Sequence, residues 1–481
     1  MRGLAQVRRS VTWITAARFP RMRASFGLFF AAASLCLHPT ALRAQVQTEL
    51  AGTLRLHYNS GFPSNLEAGA AWTGRGLTTV LSPDLLLRWR GISLRVAPEL
   101  WSAENRDLRL ISAPGAPNPY ADPMRPTGID LPQQLGPGRV ARLDPGQSAL
   151  VVEALGTRVA LTSASRVVGA GERHAILMSA DAPGFPRLEV GTAAPVTTPL
   201  GAFSLLLSAG QAGQTAWAPQ RRAGSRSVAF FEGRWRPFID GRLELGAARF
   251  YHRDWGGARL GDLLTPFGSL FFDAQTFGGG AADNQLLALF GRLRLRERTE
   301  VWAEFGLNDR QTDAREAAVE LEHNSAWLFG LRHRWTGMPG VSWTLEANAA
   351  SGRIPPIEVF RPQATFYEHT PVSQGHTNRG RLLGTRLLER TGGAELRLTR
   401  GSRAGALSLI AGTRDLANER RLVVSEEALR REWSLLVEWT RRGRHGLEYF
   451  GRVGGIADLN RHPVFGDAYS AVVSTGLTWR R

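Results

Sequence analysis

Aromatic rings flanked by arginine and carboxylate recur in three separated segments of this chain: NLEAGAAWTGRGL (Asn65 to Leu77), VVGAGERHAILMSADAPGFPRLEVGTAAPV (Val167 to Val196) and FYEHTPVSQGHTNRGRLLG (Phe366 to Gly384). Between them they carry Trp72, Arg75, Arg173, His174, Asp181, Arg187, Tyr367, His369 and Arg379. That mixture suits sugar recognition. A ring face stacks on C–H groups, planar polar groups take pairs of hydroxyls, and arginine adds a partner for acidic sugars. The competing reading is structural: the segments fold inward, with Gly and Pro setting tight backbone paths. The run Ser179 to Pro186 favours that second reading, because few of its side chains could bind anything.

Other chemistries find less support. The histidines are scattered, and neither His252 nor His445 has a second His or Cys at metal-ligand spacing. Gly169 and Gly171 lack the third Gly and the following helix of a dinucleotide fingerprint, and Gly278 to Gly280 lies in a long loop. Glu368-His369 and Glu322-His323 set carboxylate beside imidazole, yet neighbours along a strand point to opposite faces. A barrel hydrolase with a Ser or Asp nucleophile is therefore the weaker alternative, and no enzyme activity, metal or cofactor is expected.

The elements that must position these segments are short, alternating stretches of about ten residues, running from Leu50 to Trp479. Leu54, Leu56 and Tyr58 alternate with polar partners, as do Phe203, Leu205 and Leu207. Trp327, Phe329, Leu331 and Trp335 alternate with Leu328, Arg332 and Arg334, and Trp433, Leu435, Val437 and Trp439 with Ser434, Leu436 and Glu438. Period two means one apolar and one polar face. Tight turns fall at Arg90-Gly91, Gly156-Thr157, Pro195 to Gly201, Pro237 to Gly241, Glu297-Arg298, Gly337 to Gly340, Gly401 to Arg403 and Arg442 to Arg444. Between them lie long segments at 59–75, 103–147, 167–187, 209–226, 252–284, 309–324, 351–391, 414–430 and 457–467. Short and long connections in alternation predict an all-β fold: a transmembrane antiparallel β-barrel of about 18 strands, with short periplasmic turns and long extracellular loops. Both termini then lie on the periplasmic side. All three aromatic segments fall in the long-loop class, which lets them meet at one mouth.

Targeting agrees with this. Arg18, Arg21 and Arg23 precede an apolar core from Phe26 to Leu37, so residues 1–44 read as a signal peptide cleaved at Ala44-Gln45, with Met22 an alternative start. The barrel then occupies 45–481, with a Pro-rich loop at 103–147. Cys36, the single cysteine, lies in the signal, leaving the mature chain without disulfide or thiolate chemistry. No mature stretch is apolar for long enough to be a transmembrane helix. The net charge of +17 comes wholly from arginine, spread along the strands without a nucleic-acid-binding motif. Those arginines suit a polar lumen, where they would solvate the interior or attract acidic polymers and lipopolysaccharide phosphates. Trp235, Trp302, Trp327, Trp335, Trp343, Trp433, Trp439 and Trp479 fall mostly near stretch ends and read as interfacial girdle residues. The stretch Tyr469 to Trp479 resembles the aromatic-ended signal read by barrel-insertion machinery.

Trp72, Gly74, Arg75 and Gly76, then Ser179, Ala182, Pro183, Gly184, Phe185 and Pro186, then Tyr367, His369, Gly375, His376, Thr377 and Gly380 together resemble the successive motifs of the capsule-assembly Wzi family. Their order and spacing span nearly the whole mature chain. Val168 and Ala170 stand where that family usually shows Trp and Pro, and His376 where it often shows Tyr. The resemblance implies an outer-membrane barrel of 18 strands and a surface lectin that retains capsular polysaccharide. Better-known members also carry a periplasmic helical bundle, whereas Ser112 to Gly146 here holds eight prolines, which break helices. The expectation is a monomer in the bacterial outer membrane, in contact with its lipids and lipopolysaccharide. It binds extracellular or capsular polysaccharide through the nine residues named above and assists capsule assembly or attachment. A porin for small anionic solutes is the alternative, and an open or closed lumen separates the two.

Overall fold

The computed structural model describes residues 46–66, 69–112, 115–219, 225–238, 240–254, 257, 260–268, 283–308, 325–336, 340–352, 366–368, 372–416, 430–462 and 466–481. The signal segment 1–44, Glu322-His323 and Gly278 to Gly280 lie outside them.

Alternation drives each stretch into a strand, and 18 antiparallel strands close into one barrel. They are β1 (Gln47–Asn59), β2 (Gly76–Trp89), β3 (Ile92–Val96, resuming at Glu99–Ala103), β4 (Val140–Asp144, resuming at Ala149–Ala154), β5 (Thr157–Thr162) and β6 (Arg187–Thr192, resuming at Val196–Thr198). There follow β7 (Gly201–Gly213), β8 (Ser225–Arg236), β9 (Leu243–Asp254), β10 (Asp283–Arg296), β11 (Thr299–Asn308), β12 (Ser325–Thr336) and β13 (Val341–Gly352). The last five are β14 (Gly392–Ser402), β15 (Gly405–Asp415), β16 (Arg431–Arg442), β17 (Leu447–His462) and β18 (Gly466–Arg480). Each pairs with its neighbours in sequence, and β1 closes on β18 with Leu54 opposite Leu477. Closure removes every edge, which a span through hydrocarbon requires.

The apolar rows face outward. On β1, Leu54, Leu56 and Tyr58 are 40%, 37% and 38% exposed while His57 and Asn59 are buried inside. On β16, Trp433 and Leu435 point out and Glu432 and Leu436 in. An outward apolar band with interfacial aromatics is the surface of an outer-membrane barrel, and short turns mark its periplasmic end. Trp335 and Trp343 stack at 6.2 Å near that end, as girdle residues should.

Four details depart from the alternating expectation. Trp302 is not in the girdle: it is buried in the lumen, against Gly330, where a Cβ would lie 1.9 Å from its ring. Inward positions are not uniformly polar either, since Phe230, Phe250, Leu286 and Leu328 are buried there. The segment 457–467 shrinks, because β17 runs to His462 through a register shift after Asp458. There Asn460 takes a positive φ and its N–H donates to Asp467 at 2.8 Å, which keeps the bulged chain beside β18. The segment 103–147 likewise ends in strand, Val140–Asp144, paired with Glu99–Ala103. No helix lies among its described residues.

Charge on the lipid face of such a wall is costly, by ~2–4 kcal/mol for arginine near the midplane. Leu409→Arg on the outward row of β15 should lower stability by about that amount. Urea unfolding in lipid vesicles measures it, and Ser408→Ala on the inward row of the same strand serves as the control.

Candidate functional site

The lumen is filled by the chain's own long loops. Residues 163–186 descend along β8 to β12 and are held by backbone capture. The Glu304 carboxylate on β11 accepts the N–H groups of Ala170 at 2.7 Å, Gly171 at 3.3 Å and Ile176 at 2.7 Å. Glycine is required at Gly169, where φ is +149° and a Cβ would sit 2.4 Å from that carboxylate. Arg234 donates to Gly169 O at 2.8 Å and Arg292 to Ala170 O at 2.9 Å, while Arg332 pairs with Glu172. Val168, Ile176, Leu177, Met178 and Phe185 then bury their side chains against the inward Phe230, Phe250, Leu286 and Leu328. A loop plugging the lumen explains why those wall positions are apolar: they form a core, not a channel lining.

The third segment locks onto the second. Tyr367 donates its hydroxyl to Ile176 O at 2.8 Å, and Ser179 Oγ donates to Gly384 O at 3.0 Å. His376 Nε2 donates to Leu177 O at 2.5 Å, so its Nδ1 accepts from His252 Nε2 at 2.8 Å. Burial pushes the His376 imidazole down to about 4, which keeps it neutral and able to accept. His252 thus has a histidine neighbour that sequence spacing does not reveal, and the pair is joined by a hydrogen bond. Among the described residues no group of three or more His, Cys, Asp or Glu side chains could hold a metal ion.

A short hairpin, Thr377–Asn378 with Arg381–Leu382, carries the side chain that ties all three segments together. The Arg381 guanidinium donates to Asn65 O at 3.2 Å, Ala71 O at 3.1 Å and Gly69 O in the first segment, and to Asp181 O at 2.8 Å in the second. It is buried, and burial pushes it down to about 10, still charged at neutral pH.

Two chambers lie on either side of this knot. On the extracellular side a cavity of about 170 Å³ is lined by residues that include Phe62, Trp72, Asp181, Arg381, Arg414 and Glu432. On the periplasmic side a vestibule of about 960 Å³ is lined by residues that include Arg55, Glu99, Ala180, Glu438 and Arg452. The two share no lining residue among those described. The cavity's wall is made of ion pairs: Arg414 and Arg386 with Glu432 at 2.6 and 3.0 Å, and Arg430 and Arg461 with Asp458 at 2.6 and 2.7 Å. Paired charges of this kind can take hydroxyl groups, while Trp72 and Phe62, 4% and 3% exposed, back the wall. At this volume, below the ~300–1,000 Å³ of ordinary ligand pockets, there is room for a small unit only. Next to it an outer groove of about 460 Å³ shares Phe62 and Arg461 and adds Arg75, Leu108, Arg109 and Ile111.

The sequence-derived candidates divide accordingly. Trp72 and Asp181 both border the cavity, Trp72 buried with its Nε1 donating to Asn105 Oδ1 at 3.3 Å, and Arg75 lies in the adjoining groove. Tyr367 and His174 are buried and engaged within the plug, the latter with Thr385 Oγ1 at 2.9 Å. Arg187 is buried on β6 with Glu189 at 2.8 Å and Ala164 O at 2.7 Å. Arg173 faces Glu395 at 3.6 Å, and Arg379 bridges to Asp144. His369 lies outside the described residues. Arg381, Arg386, Arg414, Arg430 and Arg461 border the cavity without standing out in the sequence. Their only mark in the sequence is position: Arg414 and Arg430 bracket a long connection, and Arg381 follows Arg379 by two residues.

No family model matches the sequence, and no curated protein matches it. Among solved structures the chain is similar to Wzi of Escherichia coli, an outer-membrane protein involved in group 1 capsule assembly and described as a carbohydrate-binding β-barrel. The identity is 12% over 89% of this chain and 83% of that one, with a TM-score of 0.58. OccK2 of Pseudomonas aeruginosa, solved with glucuronate, matches at 11% identity over 91% of this chain and 98% of that one, with a TM-score of 0.45. A BenF-like porin from Pseudomonas fluorescens matches at 10% identity over 90% and 99%, with a TM-score of 0.42. The likeness to Wzi is one of fold.

Removing the guanidinium should release the knot. In Arg381→Met, buried carbonyls lose their donors, at a cost of ~3 kcal/mol or roughly 100-fold in local opening. Hydrogen exchange at Ala71 to Thr73 and Ala180 to Ala182 should accelerate by that factor. Exchange in β1 and β18 should not change.

Proposed function

We propose that this protein binds an extracellular polysaccharide at its long-loop mouth and assists capsule assembly or surface attachment. The observation that carries the reading is the knot at Arg381. It draws the three aromatic and arginine-bearing segments together across the lumen and leaves a cavity with Trp72 and Asp181 on the extracellular side. A barrel whose loops are tied in this way offers a shaped outer surface in place of a passage. The fold likeness to a carbohydrate-binding barrel of capsule assembly supports the same reading.

Within it, Arg75 and Asp181 contact the polymer, and Trp72, buried in the cavity wall, supports that surface. Arg173, His174, Arg187, Tyr367 and Arg379 position the plug that presents them, and His369 remains a candidate contact. The protein acts by binding and holding, without catalysis, metal or cofactor. We read it as a monomer exported by its N-terminal signal and inserted through its C-terminal strand, with outer-membrane lipid and lipopolysaccharide around its wall. The porin reading is disfavoured by the separation of cavity from vestibule.

Deleting the gene and measuring cell-bound against released polysaccharide tests the role. Polymer should shift from the cell surface to the medium in the deletion strain and return when the wild-type gene is restored. An unchanged partition removes the capsule role.

A further inference from the structure

One long connection does not turn into the lumen. Between β9 and β10 the described residues Leu260–Leu263 form a 3₁₀ turn and Thr265–Gly268 a single α-turn, and both attach to the outside of the wall. Two contacts place them there. Asp262 pairs with Arg253, and the Phe267 ring meets the Phe231 ring edge-on at 6.0 Å. Arg253 and Phe231 belong to the outward rows of β9 and β8, because their neighbours His252, Phe230 and Glu232 point inward to the plug. Strand register gathers one outward patch: Phe231 lies opposite Arg249, Ser227 opposite Arg253, and Ala229 opposite Tyr251, which in turn lies opposite Gln285 on β10. Elsewhere outward side chains are open, Trp235 at 37% and Leu289 at 49%. Here Ser227, Ala229, Phe231, Tyr251 and Gln285 are all buried, yet none belongs to the core of the plug.

Lipid would not accept this patch bare. Its outward positions include Ser227, Arg249, Arg253 and Gln285, with Arg249 donating to Gln285, and charge on a lipid face is destabilising. Depth then decides what lies outside the strap. Trp235 marks the lower girdle, its Nε1 donating to Leu200 O in the periplasmic turn at 2.8 Å. At ~3.3 Å per residue and a strand tilt of ~40°, Phe231 lies ~10 Å above that girdle and Ser227 ~20 Å above it, within an apolar band ~25 Å tall. The two contacts of the strap therefore bracket the extracellular half of the band. Its own outer side is apolar, with Leu264 55% and Phe267 39% exposed. Its main chain turns in on itself: the Leu264 N–H and the Thr265 hydroxyl both donate to Gly261 O at 3.1 Å, as backbone beside hydrocarbon requires.

We propose that this strap is a membrane anchor on the flank of the barrel, covering the polar patch of β8 to β10 and presenting Leu264 and Phe267 to acyl chains of the outer leaflet. The occupant follows from continuity. The strap sits on the face, and at the height, where the wall on either side meets lipid. Polar contacts beneath and apolar side chains outside give it the division of an interfacial amphipathic segment. It thereby fixes the height of this flank in the bilayer.

Single cysteines carrying the environment-sensitive fluorophore NBD test this in the full-length protein bearing Cys36→Ser, reconstituted in phosphatidylcholine vesicles. Leu264→Cys reports the strap, Leu289→Cys the lipid-facing wall, and Leu200→Cys, at a position 73% exposed in a periplasmic turn, reports water. Lipid spin-labelled on its acyl chain should quench the strap probe at least twofold more than aqueous iodide does, as it should the wall probe, with the reverse for the turn probe. Phe267→Ser should cut lipid quenching of the strap probe at least twofold and leave the wall probe unchanged. Quenching of the strap probe by iodide alone puts the strap in water and overturns the anchor. Protection from both quenchers, with energy transfer between labelled copies, gives this face to a second copy and overturns it too. Lipid quenching that Phe267→Ser leaves intact overturns the role of the ring.

Discussion

The meeting of the three loops depends on one buried guanidinium. Arg381 is charged and surrounded by protein, a placement that costs several kcal/mol unless its donors are met. Here they are met by main-chain carbonyls of two other loops. A planar fork with five donors can hold several carbonyls at once, which the compact ammonium of a lysine cannot do in the same geometry. Because the carbonyls belong to Asn65, Gly69, Ala71 and Asp181, the side chain converts three distant loops into a single layer across the barrel.

Glu304 provides the complementary grip. A lone carboxylate in the middle of the wall accepts three amides of one loop, and the apolar side chains that follow that loop fill the space between β8 and β12. Cation on carbonyls and anion on amides use opposite ends of the same peptide dipoles. The inward faces of the strands thus serve as sockets for the loops, and the extracellular cavity is what the packed loops leave between themselves and the ion pairs of β15 to β17. Any ligand site on this barrel inherits its shape from those grips.

Much of this architecture is legible in the alternation of apolar residues, since the outward row of every strand must satisfy lipid whatever lies within. The inward row obeys a different rule. Leu286, Leu328 and Trp302 face a packed loop, and that loop is remote in sequence, so the girdle reading of Trp302 and the polar reading of inner faces fail for the same reason. At the site, Trp72 and Asp181 are visible in their motifs because residue type and local context suffice. The arginines of the cavity are not, because each acquires its role from a carboxylate on another strand or loop, such as Arg414 from Glu432 and Arg461 from Asp458. His174, Arg187 and Tyr367 have the chemistry of ligand contacts and the burial of supports, a distinction that only packing makes.

The proposal of a polymer-binding barrel requires that the loops close the lumen between cavity and vestibule. Conductance of the purified protein in a planar lipid bilayer tests this most directly. The account predicts that inserted wild-type protein gives little or no steady current across a range of voltages. A stable ohmic conductance in wild type, of the size seen for open barrels and present at every insertion, would contradict it.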